Sequence, residues 1–160
     1  GGTDAVGTGD LIRYTVEVEG GMPFLPAEIA GIVDATLADP RGWTALGDHA
    51  FQRLQTGGDL RVLLATPATT DALCAPLRTR GEVSCRNGEL VVINARRWAH
   101  GVGAYGDDLD AYRQYVVNHE VGHALGFGHV GCPGGGEPAP VMLQQTYGLD
   151  GCLPNPWPDP

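Results

Sequence analysis

His119, His123 and His129 fall within eleven positions in "NHEVGHALGFGHV", with Glu120 and Gly126 among them. No other stretch constrains the fold as much, because it demands a helix that stops at a fixed place. On a helix, His119 and His123 lie about 40° apart in azimuth and about 6 Å apart along the axis, so both imidazoles can reach one ion. On a continued helix His129 would sit about 9 Å beyond His123 and face elsewhere. The chain must therefore turn back between them. Gly126 is placed to do this, since glycine readily takes the left-handed conformation that ends helices. Gly128 gives further freedom before His129.

Glu120 lies about 60° around the helix from His123, too far round to ligate an ion with the histidines but near enough to touch a water held there. Zinc lowers the pKa of such a water towards 7, and a neighbouring carboxylate can take its proton. Three imidazoles plus a water make an open, catalytic coordination, whereas structural zinc sites are closed by four protein ligands. The expectation is one catalytic zinc held by His119, His123 and His129, with Glu120 as the base. A bare H-E-x-x-H is a weaker signal than these five fixed positions. Glu137 and Asp150 are rejected as alternative third ligands because neither explains the placing of His129. Cys132 is rejected because a thiolate would close the site. His49 and His100 stand alone and read as surface or loop residues.

The remaining pattern is that of an α/β layer fold. "LIRYTVEVEG" (11–20) alternates and is β-branched, which predicts a strand. "PAEIAGIVDATLADP" predicts a helix, with Pro26 in its first turn and Pro40 as its stop. Residues 50–56 and 59–67 are strand candidates. Asn87-Gly88 predicts a type I′ turn pairing 82–86 with 89–95, the shorter partner being a sheet edge. "DDLDAYRQYVVNHEVGHALG" predicts a helix capped by Asp107 or Asp108, with early carboxylates suited to its N-terminus. The tail from 131 onward is rich in proline and glycine and predicts irregular structure.

At 160 residues the chain has the length of one domain. A formal charge of −9 argues against nucleic acid or an anionic membrane as partner. No stretch is apolar enough to span a bilayer. "GGTDAVGTGD" has no charged-then-apolar leader and reads as the start of a processed chain. Four cysteines permit several connectivities, and the favoured one is local: Cys74 with Cys85, Cys132 with Cys152. This predicts a secreted protein, against the alternative of four reduced thiols in the cytosol. Arg78, Arg80, Arg86, Arg96 and Arg97 face only Glu82 and Glu89 between residues 74 and 100, a local positive excess in an acidic chain. They read as a solvated face, or as groups that favour acidic substrate.

"HEVGHALGFGH" resembles the long zinc-binding consensus of the metzincin metallopeptidases, whose hallmark is a methionine turn beneath the metal. Met142, thirteen residues after His129 in "APVMLQQTYG", matches it. The whole chain resembles a small secreted bacterial metzincin-like domain of unknown function. It is similar to the snapalysin type in its brevity and in a disulfide bracketing the methionine turn, here Cys132–Cys152. The resemblance implies a twisted, mostly parallel five-stranded sheet with an antiparallel edge strand, a backing helix and the active-site helix. A single metallopeptidase domain over 1–160 is expected, divided into 1–126 and a short C-terminal subdomain, 127–160. The resemblance further implies a zinc endopeptidase that binds peptide or protein substrate along edge strand 82–86, with Cys74–Cys85 stapling the cleft's upper rim; a monomer is expected. One departure stands out. Many metzincins carry a tyrosine two residues after the methionine, where this chain has Gln144, so Gln144 or Tyr147 is the candidate substrate or oxyanion contact.

Two rival readings keep the metal. One is a module that binds peptide or cell-wall material without cutting it, although a pure binder has no need of Glu120. The other is a zinc hydrolase of non-protein amides.

Overall fold

Successive side chains along four parallel strands point to opposite sides and sort the sheet into two differently covered faces. The computed structural model describes residues 1–160. Its six strands are β1 (Val6–Gly7), β2 (Asp10–Val18), β3 (His49–Arg53), β4 (Leu60–Ala65), β5 (Cys85–Asn87) and β6 (Leu90–Asn94). They run in the order β1-β3-β2-β4-β6-β5. The inner four are parallel, while β1 and β5 are antiparallel at the two edges. The sheet is thus mostly parallel, with the expected antiparallel edge strand. The two-residue β1 is the addition to the five strands expected.

Tyr14, Val62, Leu64, Val91 and Ile93 face one side and join the main core. Ala65 and Val92 point the other way and join a smaller cluster with Cys74 and Cys85. This is the period-two geometry of a pleated strand. Helices α1 (Pro26–Ala38) and α4 (Leu109–Ala124) cover the first face, and α2 (Pro67–Cys74) covers the second near β5 and β6. A fourth helix, α3 (Ala95–His100), follows β6 directly. On β2 the second face is polar, and there Glu17 pairs with Arg61.

Parallel strands of one sheet ordinarily need a long crossover, and β3 and β4 flank β2 on its two sides. The chain avoids one between β3 and β4 by stagger. β3 pairs with β2 from Asp10 to Tyr14, and β4 pairs from Tyr14 onward, so the short segment 54–59 joins them.

Some boundaries differ from those the sequence suggests. The edge strand is Cys85–Asn87 rather than 82–86, and the hairpin turn is shifted by one residue. Asn87 pairs with Leu90, leaving Gly88-Glu89 as the turn. Only Gly88, at φ 61°, is left-handed there, the pattern of a type II′ turn. The cause is tertiary: Asn87 Nδ2 donates to the Leu73 carbonyl of α2 at 2.9 Å, which holds Asn87 in the strand. The β4 pattern stops at Ala65, because Thr66 caps α2 through its side chain and Pro67 opens that helix. His49 lies half-buried inside β3 rather than in a loop.

After α4, residues 125–160 contain no helix or regular strand. Cys132–Cys152 and an isolated bridge between Pro138 and Leu153 hold this segment together. No helix is long and apolar enough to cross a membrane.

Candidate metal centre

Asp108 starts α4 by accepting the Ala111 N–H at 3.1 Å, as an N-cap carboxylate does. The helix ends in a Schellman arrangement. Gly126 takes φ 101°, its N–H reaches the His123 carbonyl at 3.0 Å, and the Phe127 N–H reaches the Gly122 carbonyl at 3.0 Å. Phe127 then stacks on Trp43, with ring centroids 4.9 Å apart. The chain so reversed brings His129 back over the helix.

His119, His123 and His129 form a three-imidazole group. Their Nε2 atoms meet: His129 lies 3.3 Å from His119 and 3.0 Å from His123. Zinc–nitrogen bonds of about 2.0–2.1 Å in tetrahedral geometry place nitrogens about 3.3 Å apart, so the spacing suits one small cation. The outer nitrogens are also engaged. His119 Nδ1 donates to the Val141 carbonyl at 2.8 Å, and His123 Nδ1 donates to the Phe127 carbonyl at 2.9 Å. Each such bond fixes the tautomer that leaves Nε2 with a free lone pair. Burial, above all other causes, pushes His119 down to about 3. It also lowers His129. Both rings are therefore neutral, as a metal ligand must be.

Glu120 is buried beside them, and its Oε2 has no hydrogen-bond partner. Burial alone pushes its carboxyl up to about 8. A buried polar atom without a partner calls for an explanation, and a nearby cation or water would supply one. Glu120 and the three imidazoles line one cleft of about 470 Å³.

Segment 141–145 passes beneath His119. Tyr115, one turn before His119 on the same helix face, donates its hydroxyl to the Leu143 carbonyl at 3.0 Å and accepts the Gln145 N–H at 2.9 Å. The Met142 carbonyl accepts the Val130 N–H at 3.2 Å, which ties the segment to the residue after His129. Met142 itself is buried against the flank of α4 opposite Glu120. A methyl group at Gly122 would stand 2.5 Å from Met142 Sδ and 2.7 Å from Trp43 Cζ2.

The cleft also collects Gln144 and Tyr147, both exposed, together with Arg78 and Arg86. Met142 is not in its lining, nor are Arg80, Arg96, Arg97, Glu137 and Asp150. Both disulfides, Cys74–Cys85 and Cys132–Cys152, are formed. Sequence reasoning passed over Tyr115 and Trp43. Tyr115 had a readable signal in its spacing of four from His119, but Trp43 is 75 residues from Asn118, whose carbonyl its indole N–H reaches.

Two comparisons bear on this geometry. The family model described as "Protein of unknown function (DUF3152)" matches residues 1–160. A stretch of 43 residues is 44% identical to metallopeptidase AprA of Pseudomonas marginalis, covering 27% of this chain and 9% of that protein. The chain thus spans less than a tenth of the length of the curated relative it matches, and the likeness is to part of a metallopeptidase.

Proposed function

The chain belongs to the family described as "Protein of unknown function (DUF3152)", and on that premise we propose that it is a secreted, zinc-dependent endopeptidase of the metzincin type. One observation carries the reading. Three Nε2 atoms converge at 3.0–3.3 Å contacts beside a buried carboxyl whose Oε2 has no partner. The partial likeness to a metallopeptidase supports the same class.

In this reading His119, His123 and His129 hold the ion. A zinc ion there supplies Lewis acidity, which lowers the pKa of water and polarises a substrate carbonyl. Glu120 takes a proton at its carboxylate and hands it to the departing amine. An ion's positive charge also opposes the burial that keeps Glu120 protonated, which favours the basic form this role needs. Gln144 and Tyr147, on the cleft wall, are the candidates to steady the substrate carbonyl oxygen. The exposed edge of β5 offers unpaired backbone groups to an extended peptide. Met142 supports the ligands through Gly122 and through its carbonyl bond to Val130. The cleft then separates subdomains 1–126 and 127–160 of one domain. The two disulfides support an oxidising compartment outside the cell.

The test uses the oxidised protein. Elemental analysis is expected to find one zinc per chain, and unfolded casein is expected to be cut, with cutting lost on chelation and in Glu120→Gln. A chain without stoichiometric metal, or activity unchanged in Glu120→Gln, would overturn the proposal.

A further inference from the structure

The rim of the cleft carries two guanidiniums that nothing in the protein neutralises. Arg78 and Arg86 both line the cleft that holds the imidazoles. The chain forms three ion pairs, Arg41–Asp39, Arg53–Asp34 and Arg61–Glu17, and neither rim arginine is in one. Both are exposed, and no acidic residue other than Glu120 lines the cleft. This is unusual placement for a chain of net charge −9, whose average surface is acidic.

Local structure explains why both face the cleft. On β5, Cys85 points to the α2 face and is bonded to Cys74 there. The next side chain, Arg86, points to the opposite face, which α4 and its histidines cover. Arg78 lies just past α2 in a segment held at both ends. The Leu77 N–H bonds the Cys74 carbonyl at 3.0 Å, and the Thr79 hydroxyl bonds Asp71. The Cys74–Cys85 bridge links these two arginine-bearing pieces into one rim. Arg97 differs, because its Nε is already engaged by the Glu82 carbonyl at 2.6 Å.

Resting on the peptidase reading, we infer that Arg78 and Arg86 form a carboxylate-binding subsite that selects peptides bearing an acidic group near the bond to be cut. Guanidinium is suited to this, because its planar fork matches a carboxylate with paired hydrogen bonds. The carboxylate comes either from an Asp or Glu side chain or from a peptide C-terminus. Because both guanidiniums are exposed, the gain is modest, roughly fivefold, and salt weakens it.

The experiment compares pools of octapeptides with Glu or Gln fixed at each position in turn, once with amidated and once with free C-termini. The zinc-loaded protein is expected to favour Glu at one or two positions, or the free terminus, by roughly fivefold in kcat/KM through KM. That ratio is expected to fall towards one in Arg78→Gln/Arg86→Gln and in high salt, and to persist in Arg96→Gln, which lies outside the cleft. Preference for Glu over Gln that persists in amidated pools assigns the subsite to side chains; preference for free over amidated termini whatever the fixed residue assigns it to the chain end. Equal, measurable rates of cutting for all pools, or a ratio that survives the double substitution, overturns the inference. Binding of the same pools to Glu120→Gln protein by fluorescence polarisation separates it from the peptidase reading. If no pool is cut yet the Glu pools bind through Arg78 and Arg86, hydrolysis fails and the subsite stands; if they bind no better than Gln pools, the subsite fails.

Discussion

His123 Nδ1 donates to the Phe127 carbonyl at 2.9 Å, so the imidazole is aimed by the turn that ends its own helix. The same turn places Gly126 at φ 101°, stacks Phe127 on Trp43 and delivers His129 two residues later. Helix stop, imidazole orientation and the return of the third imidazole are therefore one local event. A change in the turn is felt at the centre without touching any histidine.

Gly126→Ala places a Cβ in left-handed backbone, at a cost of about 1–2 kcal/mol. For a chain of this size that lowers Tm by about 2–8 °C. Zinc affinity, read by competition with a chromophoric chelator, is expected to fall with it. Gly128→Ala serves as the control, since Gly128 has no positive φ and open space around it. Equal losses in the two variants would show that the turn is not what aims the ligands.

The turn was legible in the sequence because its demand is local: histidines at spacings of four and six cannot converge unless the helix stops at Gly126. Strand β2 and helix α4 were legible for a similar reason, since periods of two and 3.6 run long enough to show, whereas β4 was legible as a short apolar run and β6 as the partner across a turn at Gly88. The short helices were not. Thr66-Pro67 and Asn94 cap α2 and α3, but each signal sits at the end of a strand pattern, and too few turns follow to declare a new period. The hairpin register was set by Asn87 reaching Leu73, a contact between α2 and β5 that no local turn preference encodes. At the site, the convergence of the three histidines could be read from their spacing, whereas Trp43 over Gly122 and the carbonyls of Val141 and Phe127 depend on how distant pieces pack.

Gly122→Ala tests that packing. Its Cβ would meet Met142 Sδ at 2.5 Å and Trp43 Cζ2 at 2.7 Å. The side chains must shift, at about 1–3 kcal/mol for an overpacked core. Alanine is the better helix former, so an exposed glycine in a helix would gain stability from the same change. Gly31 in α1, with nothing within 4 Å, is that case. Thermal melts are expected to show Gly122→Ala falling and Gly31→Ala unchanged or rising.

The metal-free protein should lose stability through Glu120 as pH rises towards about 8. Burial raises its folded value from 4.5 to about 8. The folded chain then holds the proton more tightly than the unfolded chain. That contribution is present at low pH and is lost as pH rises from 4.5 through about 8. His119 acts in the opposite sense. Its folded value is lowered from 6.5 to about 3, so stability is lost as pH falls below 6.5 and the unfolded chain takes the proton first. Between pH 6.5 and 8 Glu120 acts without that opposition, and Tm of chelated protein is expected to decline across that window. Glu120→Gln should flatten the decline, and a decline of equal slope in the variant would remove Glu120 as its cause.

Tyr115→Phe separates orientation of His119 from the rest of the fold. The hydroxyl donates to the Leu143 carbonyl and accepts the Gln145 N–H, both buried, and stands 3.3 Å from His119 Nδ1. Phenylalanine keeps the ring packing against Tyr105 and Tyr112 and leaves the Gln145 N–H on the Leu143 carbonyl at 2.8 Å, but it removes the hydroxyl that ties both groups to α4, at about 0.5–1.5 kcal/mol per bond. The loosened segment carries Val141, whose carbonyl holds the His119 ring at 2.8 Å. Loss of such an outer partner typically costs about 10–100-fold in metal affinity. Here the partner is displaced rather than removed, so the low end, about tenfold, is expected. Tyr112→Phe is the comparison. Its hydroxyl meets Thr146 at 3.1 Å and touches no carbonyl that orients a histidine, so it is expected to change melting more than zinc affinity. If both variants hold zinc as tightly as the parent chain, the Val141 carbonyl keeps its place without Tyr115, and orientation of His119 belongs to the helix alone.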